Sequence, residues 1–225
     1  MTNLEVARLL VTSPSRAFAA LKESPVFALP MWGVIIATGG VIALYYLFVD
    51  MAWLADQMAT QAKLPAEQAA NFKISRGLLL GASLVGVVIA LLAIQSVSAL
   101  YLLIAGNITN VRYSFRHWFA FSWWVSSPQM LGAIPALLIL LLGNASQISA
   151  SALNPLSLNE LLFHRGPADP GYNLLTNFGL IHIAIAWLSV LGVRVWSGRS
   201  MTFCIVFALL PTVLVYGIWA LFAFR

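Results

Sequence analysis

Five stretches of this chain contain no Asp, Glu, Lys or Arg, and each is long enough to cross a bilayer. They run from about Pro30 to Val49, Leu78 to Ala105, Trp118 to Leu142, Leu174 to Val193 and Met201 to Phe222. Twenty residues of helix, at ~1.5 Å per residue, cover ~30 Å of hydrocarbon. None of the stretches alternates polar with apolar residues, as a barrel strand would. In lipid the backbone must satisfy its own amides and carbonyls, so the stretches are expected to be helices. The expected fold is all-α: one polytopic membrane bundle of five transmembrane helices spanning residues 1–225.

Composition agrees with lipid as the solvent. Of 225 residues, 61% are hydrophobic and 8% are charged, whereas soluble domains carry about 25% charged residues. That excludes a disordered chain and an ordinary soluble enzyme. The net charge is +5. Its basic residues lie at segment ends, which points to membrane topology and anionic headgroups and away from nucleic acid. Cys204 stands alone inside an apolar run, so no intramolecular disulfide can form and a buried thiol is expected. Glu5, Arg8, Arg16, Lys22 and Glu23 interrupt the first 29 residues. No signal-peptide core fits there, and the first apolar run reads as a retained span.

Lys and Arg set the expected orientation. With the N-terminus inside, Arg8, Arg16, Lys22, Arg112, Arg116, Arg194 and Arg199 fall inside, and Lys63, Lys73, Arg76, Arg165 and Arg225 fall outside. The bias favours N-inside, C-outside. Trp32, Trp53, Trp118 and Trp196 lie near the proposed interfaces, where belt aromatics are expected.

Before the first span, two short amphipathic helices are expected. Leu4, Ala7, Leu10 and Val11 share one face of the first. Ser13-Pro14 reads as an N-cap with proline at the first helical position, and Ala17, Phe18 and Leu21 form the next apolar stripe. The segment 1–29 either lies in the headgroup region or packs on the bundle. Asp50–Arg76 is helix-friendly, with Met51, Leu54, Ala55 and Met58 at helical spacing and a second start at Leu64-Pro65-Ala66-Glu67. In the loop Gly143–Asn173, Ser157-Leu158-Asn159-Glu160 reads as a capping box for a helix that Gly166-Pro167 would stop. Gly77, Gly81, Ala82, Gly86 and Ala90 make a small-residue stripe. Packing within the bundle is the expectation, ahead of dimerisation.

Chemistry has few footholds here. The five cores hold no charge, which argues against a proton-coupled pump or a voltage sensor. Neither HExxH nor CxxC occurs, and none of His117, His164 and His182 has a ligand-type residue four positions on, so no metal site is expected. Neither G-x-S-x-G nor a phosphate-binding glycine loop is present. No catalytic residue and no cofactor are expected. The third span is the least regular: Trp123-Trp124-Val125-Ser126-Ser127-Pro128-Gln129. Pro128 removes an amide donor and should kink the helix. Ser126, Ser127 and Gln129 either resatisfy the freed carbonyl or line a polar pocket, and Gln95 on the second span can face the same place. His182 is the one histidine deep in a span. It reads first as hydrogen-bonded packing, then as a ligand. These five residues form the candidate polar or transport site. Arg8, Arg16, Lys22, Arg112 and Arg116 are the candidate contacts to anionic lipid.

Three segments carry a family resemblance. The first is Ser13-Pro14-Ser15-Arg16-Ala17-Phe18 through Leu21, followed by Pro25 and Pro30-Met31-Trp32. The second is Gly106 through Pro128, where the turn Arg112-Tyr113-Ser114-Phe115 leads into an aromatic, proline-bearing helix. The third is the Gly192–Ser200 junction between the last two spans. Together they resemble the Yip1-domain family over nearly the whole chain. The resemblance implies five spans, a cytosolic N-terminus and a short external C-terminus. Eukaryotic members of the family act in vesicle trafficking and interact with small GTPases. Prokaryotic members share the fold without a defined activity. The short N-terminal segment points to a bacterial inner-membrane member.

The functional expectation is a non-enzymatic membrane protein, a scaffold for membrane organisation. Its partners would be the lipid bilayer, anionic lipids, and a membrane protein or a second copy of the chain. The alternative is a transporter or lipid-moving protein using the polar site at the kinked third helix.

Overall fold

A computed structural model describes residues 2–65, 67–68, 71–143 and 145–224. The proposed helix start at Ala66 and the terminal charge of Arg225 lie outside the described residues. The helices are α1 (Asn3–Thr12), α2 (Pro14–Glu23), α3 (Ala28–Phe48), α4 (Met51–Gln61), α5 (Arg76–Thr109), α6 (Phe115–Val125), α7 (Gln129–Leu142), α8 (Tyr172–Asn177), α9 (Leu180–Ser197) and α10 (Met201–Ala223). Five spans are long and apolar enough to cross a membrane: α3, α5, α6 with α7, α9 and α10. α5 is 34 residues long, ~51 Å at ~1.5 Å per residue, so it outruns the ~30 Å of hydrocarbon.

The N-terminal helices are built from strong local signals. The Glu5 amide donates to Thr2 Oγ1 at 3.3 Å, and the Thr2 amide donates to the Glu5 carboxylate at 2.8 Å. This closes a capping box on α1. The Thr2 amide holds the Glu5 carboxyl below its usual range. Pro14 occupies the first turn of α2, where its missing N–H costs nothing.

α2 does not float in the headgroups; it is part of the core. Ala17, Phe18 and Leu21 are fully buried. The Phe18 ring lies 5.4 Å from Phe121, and the Trp196 indole N–H donates to the Phe18 carbonyl at 2.8 Å. α1 then rests on α2 and on the start of α3, where the Leu29 amide donates to Asn3 Oδ1 at 3.3 Å. Its buried face centres on Val6, with Ala7 and Leu10 of the expected stripe packed beside it, while Leu4 and Val11 turn outward, 71% and 86% exposed. The neighbours decide this face, because Val6 and Asn3 are the positions that meet α2 and α3. Leu4, Arg8 and Val11 are left together on the outer side, one and two turns apart.

Around Phe18 lies a dense aromatic cluster. Trp118 and Trp196 are 5.0 Å apart, Tyr113 is 4.7 Å from Trp196, and Phe121 is 5.1 Å from Trp196. Tyr113 Oη donates to the Trp196 carbonyl at 3.0 Å. The close approach needs Gly192. A Cβ there would stand 2.4 Å from the Phe121 ring and 2.8 Å from that of Phe18. Trp118 and Trp196, expected in the interfacial belt, are 0% and 4% exposed. They face inward, because each other's rings, Phe121 and Phe207 take their surface. Trp32 is exposed, as a belt residue would be.

Other expectations are corrected. The small-residue stripe does not pack inside the chain: Gly81, Ala82, Gly86 and Ala90 are exposed. A Cβ on Gly81 or Gly86 would meet nothing within 4 Å, since α5 packs on α3 and α6 through its other side. The fourth span begins at Leu180, not Leu174. Gly179 is extended and bridges to Ser157, and a Cβ there would clash with the Leu156 carbonyl at 2.1 Å. The loop turn Asn159–Phe163 is a short π-type turn, ended by His164 in the left-handed region before Gly166 is reached. Ser157 does cap it, accepting from the Glu160 amide.

Removing the Phe18 ring should release α2 from the bundle. Phe18→Ala is expected to cost about 3–5 kcal/mol, and Val11→Ser to stay within about 0.5 kcal/mol. Unfolding in mixed micelles, with hydrogen exchange over residues 14–23, measures both.

Candidate functional site

The third span breaks outright. Pro128 has no amide to give the Trp124 carbonyl, and Ser127 takes its place with its amide at 3.2 Å and its hydroxyl at 2.8 Å. The amides of Gln129, Met130 and Leu131 reach only three residues back. The kink is therefore a tight turn between two half-helices, α6 and α7. Ser127 is spent on that turn.

The other candidates fall into two separate places. On the inner side of the break is a cavity of about 120 Å³, bordered by Gln95, Ser98, Ser122, Ser126, Ser189 and Thr212 among others. Gln95 Nε2 donates to Ser126 Oγ at 2.9 Å in a fully buried bond. The Ser122 hydroxyl is buried without a partner. The cavity is polar and roomy enough for a few waters.

On the far side of the break is a larger groove of about 640 Å³, holding Gln129 and His182. It runs between α3, α5 and α7 on one side and α8, α9 and α10 on the other. Thr38, Tyr45, Tyr46, Ser83, Asn154, Asn177 and Tyr216 also border it, with apolar Val41, Ile42, Ala133 and Ala136 between them. The Gln129 side-chain amide has no hydrogen-bond partner among the described residues, and the Tyr45 hydroxyl is buried without one. Tyr46 is paired, accepting from Ser83 Oγ at 3.2 Å.

His182 is held in one form. The Gly179 amide donates to its Nδ1 at 3.2 Å, so the neutral ring carries its proton on Nε2. That N–H faces Tyr216 Oη at 3.1 Å, and the Tyr216 hydroxyl reaches the Asn177 carbonyl at 3.3 Å. Phe178 stacks on the imidazole at 5.0 Å. The chain of bonds clasps α9 to α10 and leaves His182 no free nitrogen. Among the described residues, no three His, Cys, Asp or Glu side chains come together.

The five expected site residues are thus divided: Gln95 and Ser126 inside, Gln129 and His182 in the groove, Ser127 in the turn. Ser122, Tyr45 and Tyr216 were not singled out from sequence. Serine and tyrosine are common in spans, and only their unpaired or clasping hydroxyls set these three apart.

A third feature is electrostatic. Arg8, Arg16, Lys22, Arg112 and Arg116 are all exposed at one end, with Arg194 and Arg199. Seven basic side chains face two acidic ones there, Glu5 and Glu23. The opposite end has four basic and five acidic among the described residues. Lys22 Nζ lies 5.8 Å over the Tyr113 ring. Beside it an open cleft of about 420 Å³ is bordered by Asn110, Arg112, Tyr113, Trp196 and Ser197.

The inner cavity yields a contrast. Ser126→Ala, which strands the Gln95 amide, should cost about 1–3 kcal/mol, whereas Ser122→Ala removes an already unpaired hydroxyl and should cost nothing measurable. Detergent unfolding of the two variants checks the difference.

No curated protein and no solved structure matches the chain. The Yip1 domain matches residues 8–222. The three segments that resemble that family meet in a single core: Phe18 from the first, Tyr113, Trp118 and Phe121 from the second, Gly192 and Trp196 from the third. With the match extending over nearly its whole length, the chain belongs to the Yip1-domain family.

Proposed function

We propose that this protein is a non-enzymatic membrane scaffold whose basic end binds anionic lipid or an acidic membrane-protein partner. The observation that carries the reading is the docking of α2. Phe18 in the core and Trp196 on its carbonyl turn a segment that could have been a loose anchor into a fixed platform. Lys22 is therefore held over Tyr113, next to Arg112 in the chain, and Arg16 has a set position on the same docked helix. The positive-inside rule puts this end, and the N-terminus, on the cytoplasmic side. The family resemblance favours a bacterial inner membrane.

Lys and Arg near an anionic surface contribute about 1 kcal/mol each. Deleting the segment would strip Phe18 from the core, so charge neutralisation is the cleaner test. Arg8→Gln, Arg16→Gln and Lys22→Gln together should lower retention of phosphatidylglycerol on the purified protein by at least tenfold at low salt, with the difference shrinking at high salt. Native mass spectrometry reads this. Unchanged retention would overturn the platform.

The groove favours a second reading, movement of a lipid or a small uncharged solute. Labelled-lipid exchange between leaflets of reconstituted liposomes should then exceed that of protein-free vesicles, and Thr38→Trp, on the partly open groove wall, should suppress it. Exchange at the protein-free rate removes this reading.

A further inference from the structure

We infer that the groove of about 640 Å³ is a binding site for an uncharged lipid bearing hydroxyl and ester oxygens, of the diacylglycerol class, which enters sideways from the bilayer. The inference needs only the groove. It is independent of the basic platform and holds whether or not the bound lipid is moved.

The groove reaches mid-membrane. Thr38 is ten residues into α3, ~15 Å from the basic end at ~1.5 Å per residue. Gln129 opens α7 directly after the break. Toward the loop end the segment 145–158 is tied down across it. The Asp50 amide donates to the Ser146 carbonyl at 2.8 Å, Asn154 Nδ2 to the Thr176 carbonyl at 2.7 Å, and the Leu158 amide to the Phe178 carbonyl at 2.7 Å. Toward the basic end, Tyr101 Oη donates to the Phe207 carbonyl at 2.9 Å and joins α5 to α10. Farther along the same two helices, Ser83 and Tyr216 border the groove. The flanks of that opening are lipid-facing: Leu78 and Val85 on α5, and Val213 and Val215 on α10, are all exposed.

The chemistry of the walls selects the occupant. The α9–α10 wall is satisfied internally through His182, Tyr216 and Asn177. On the other wall, Gln129 offers two donors and an acceptor, with no protein partner among the described residues. Unpaired polar groups at this depth are costly in hydrocarbon, so a molecule with matching oxygens is favoured there. Among the described residues not one Asp, Glu, Lys or Arg borders the groove, and the Gly179 amide on Nδ1 keeps the His182 ring neutral. A phosphate would find no counter-charge, which disfavours phospholipid headgroups. The volume falls in the range of ordinary ligand pockets. It suits a glycerol diester, with the acyl chains leaving between Ser83 on α5 and Tyr216 on α10 into the bilayer.

The test uses the whole protein in phosphatidylcholine nanodiscs with a diacylglycerol carrying a diazirine near the glycerol. Cross-linked peptides are mapped by mass spectrometry. The expected result is labelling of the α3 and α7 walls, between Thr38 and Tyr46 and between Gln129 and Ala136. Excess diacylglycerol should compete it away, and an equal excess of phosphatidylglycerol should not. Gln129→Leu, which keeps the volume, should reduce wall labelling about tenfold, with non-specific labelling of the exposed α5 flank as the internal control. Labelling of that flank alone, equal competition by phosphatidylglycerol, or wall labelling unchanged in Q129L would each overturn the site.

Discussion

Phe18 packed against Phe121 over Gly192, with Trp196 hydrogen-bonded to the Phe18 carbonyl, is the contact on which the rest of the molecule depends. It joins α2, α6 and α9 in one place. A side chain on Gly192 would push both rings away, so the absence of a Cβ there sets the distance between helices. Because this end is packed around large rings, the amphipathic segment before the first span becomes a structural element. Its charges acquire fixed positions as a result.

The same arrangement accounts for the open far half. Helices brought together at the basic end, with one of them broken in mid-membrane, need not stay together beyond the break. Pro128 lets α7 leave the line of α6 and follow α3, while α9 and α10 stay paired with each other. The groove is the space between these pairs. Polar residues on the third span are thereby sent to different places. Ser126 joins Gln95 on the inner side, Gln129 enters the groove, and Ser127 repairs the backbone.

Much of this was legible in the residues. Charge-free runs predict the spans, since charge is the one thing hydrocarbon rejects. Pro14 and Pro128 mark a helix start and a break by the missing amide alone. The Ser157 cap is likewise a local signal. The facing of surfaces was not legible. Leu4 and Val11 lie on a good apolar stripe yet look outward, and Gly81 and Gly86 of α5 meet no helix. In lipid an apolar face is at ease inside or outside, so hydrophobicity stops indicating which way a helix turns. The tryptophans show the same point: Trp118 and Trp196 stand near span ends in the sequence, as belt residues do, and have the environment of core.

The sequence by itself determined the solvent, the number of spans, the unequal charge of the two ends and the family. The first three follow from where charge is absent or present along the chain, and the family from the resemblance of three segments. Only the tertiary structure decided that α2 belongs to the core, that five polar candidates divide among a cavity, a groove and a turn, and that His182 is clasped. Those outcomes depend on distances between residues as far apart as Phe18 and Trp196. Such distances are set by the packing of rings against glycine, which no periodicity in a single helix records.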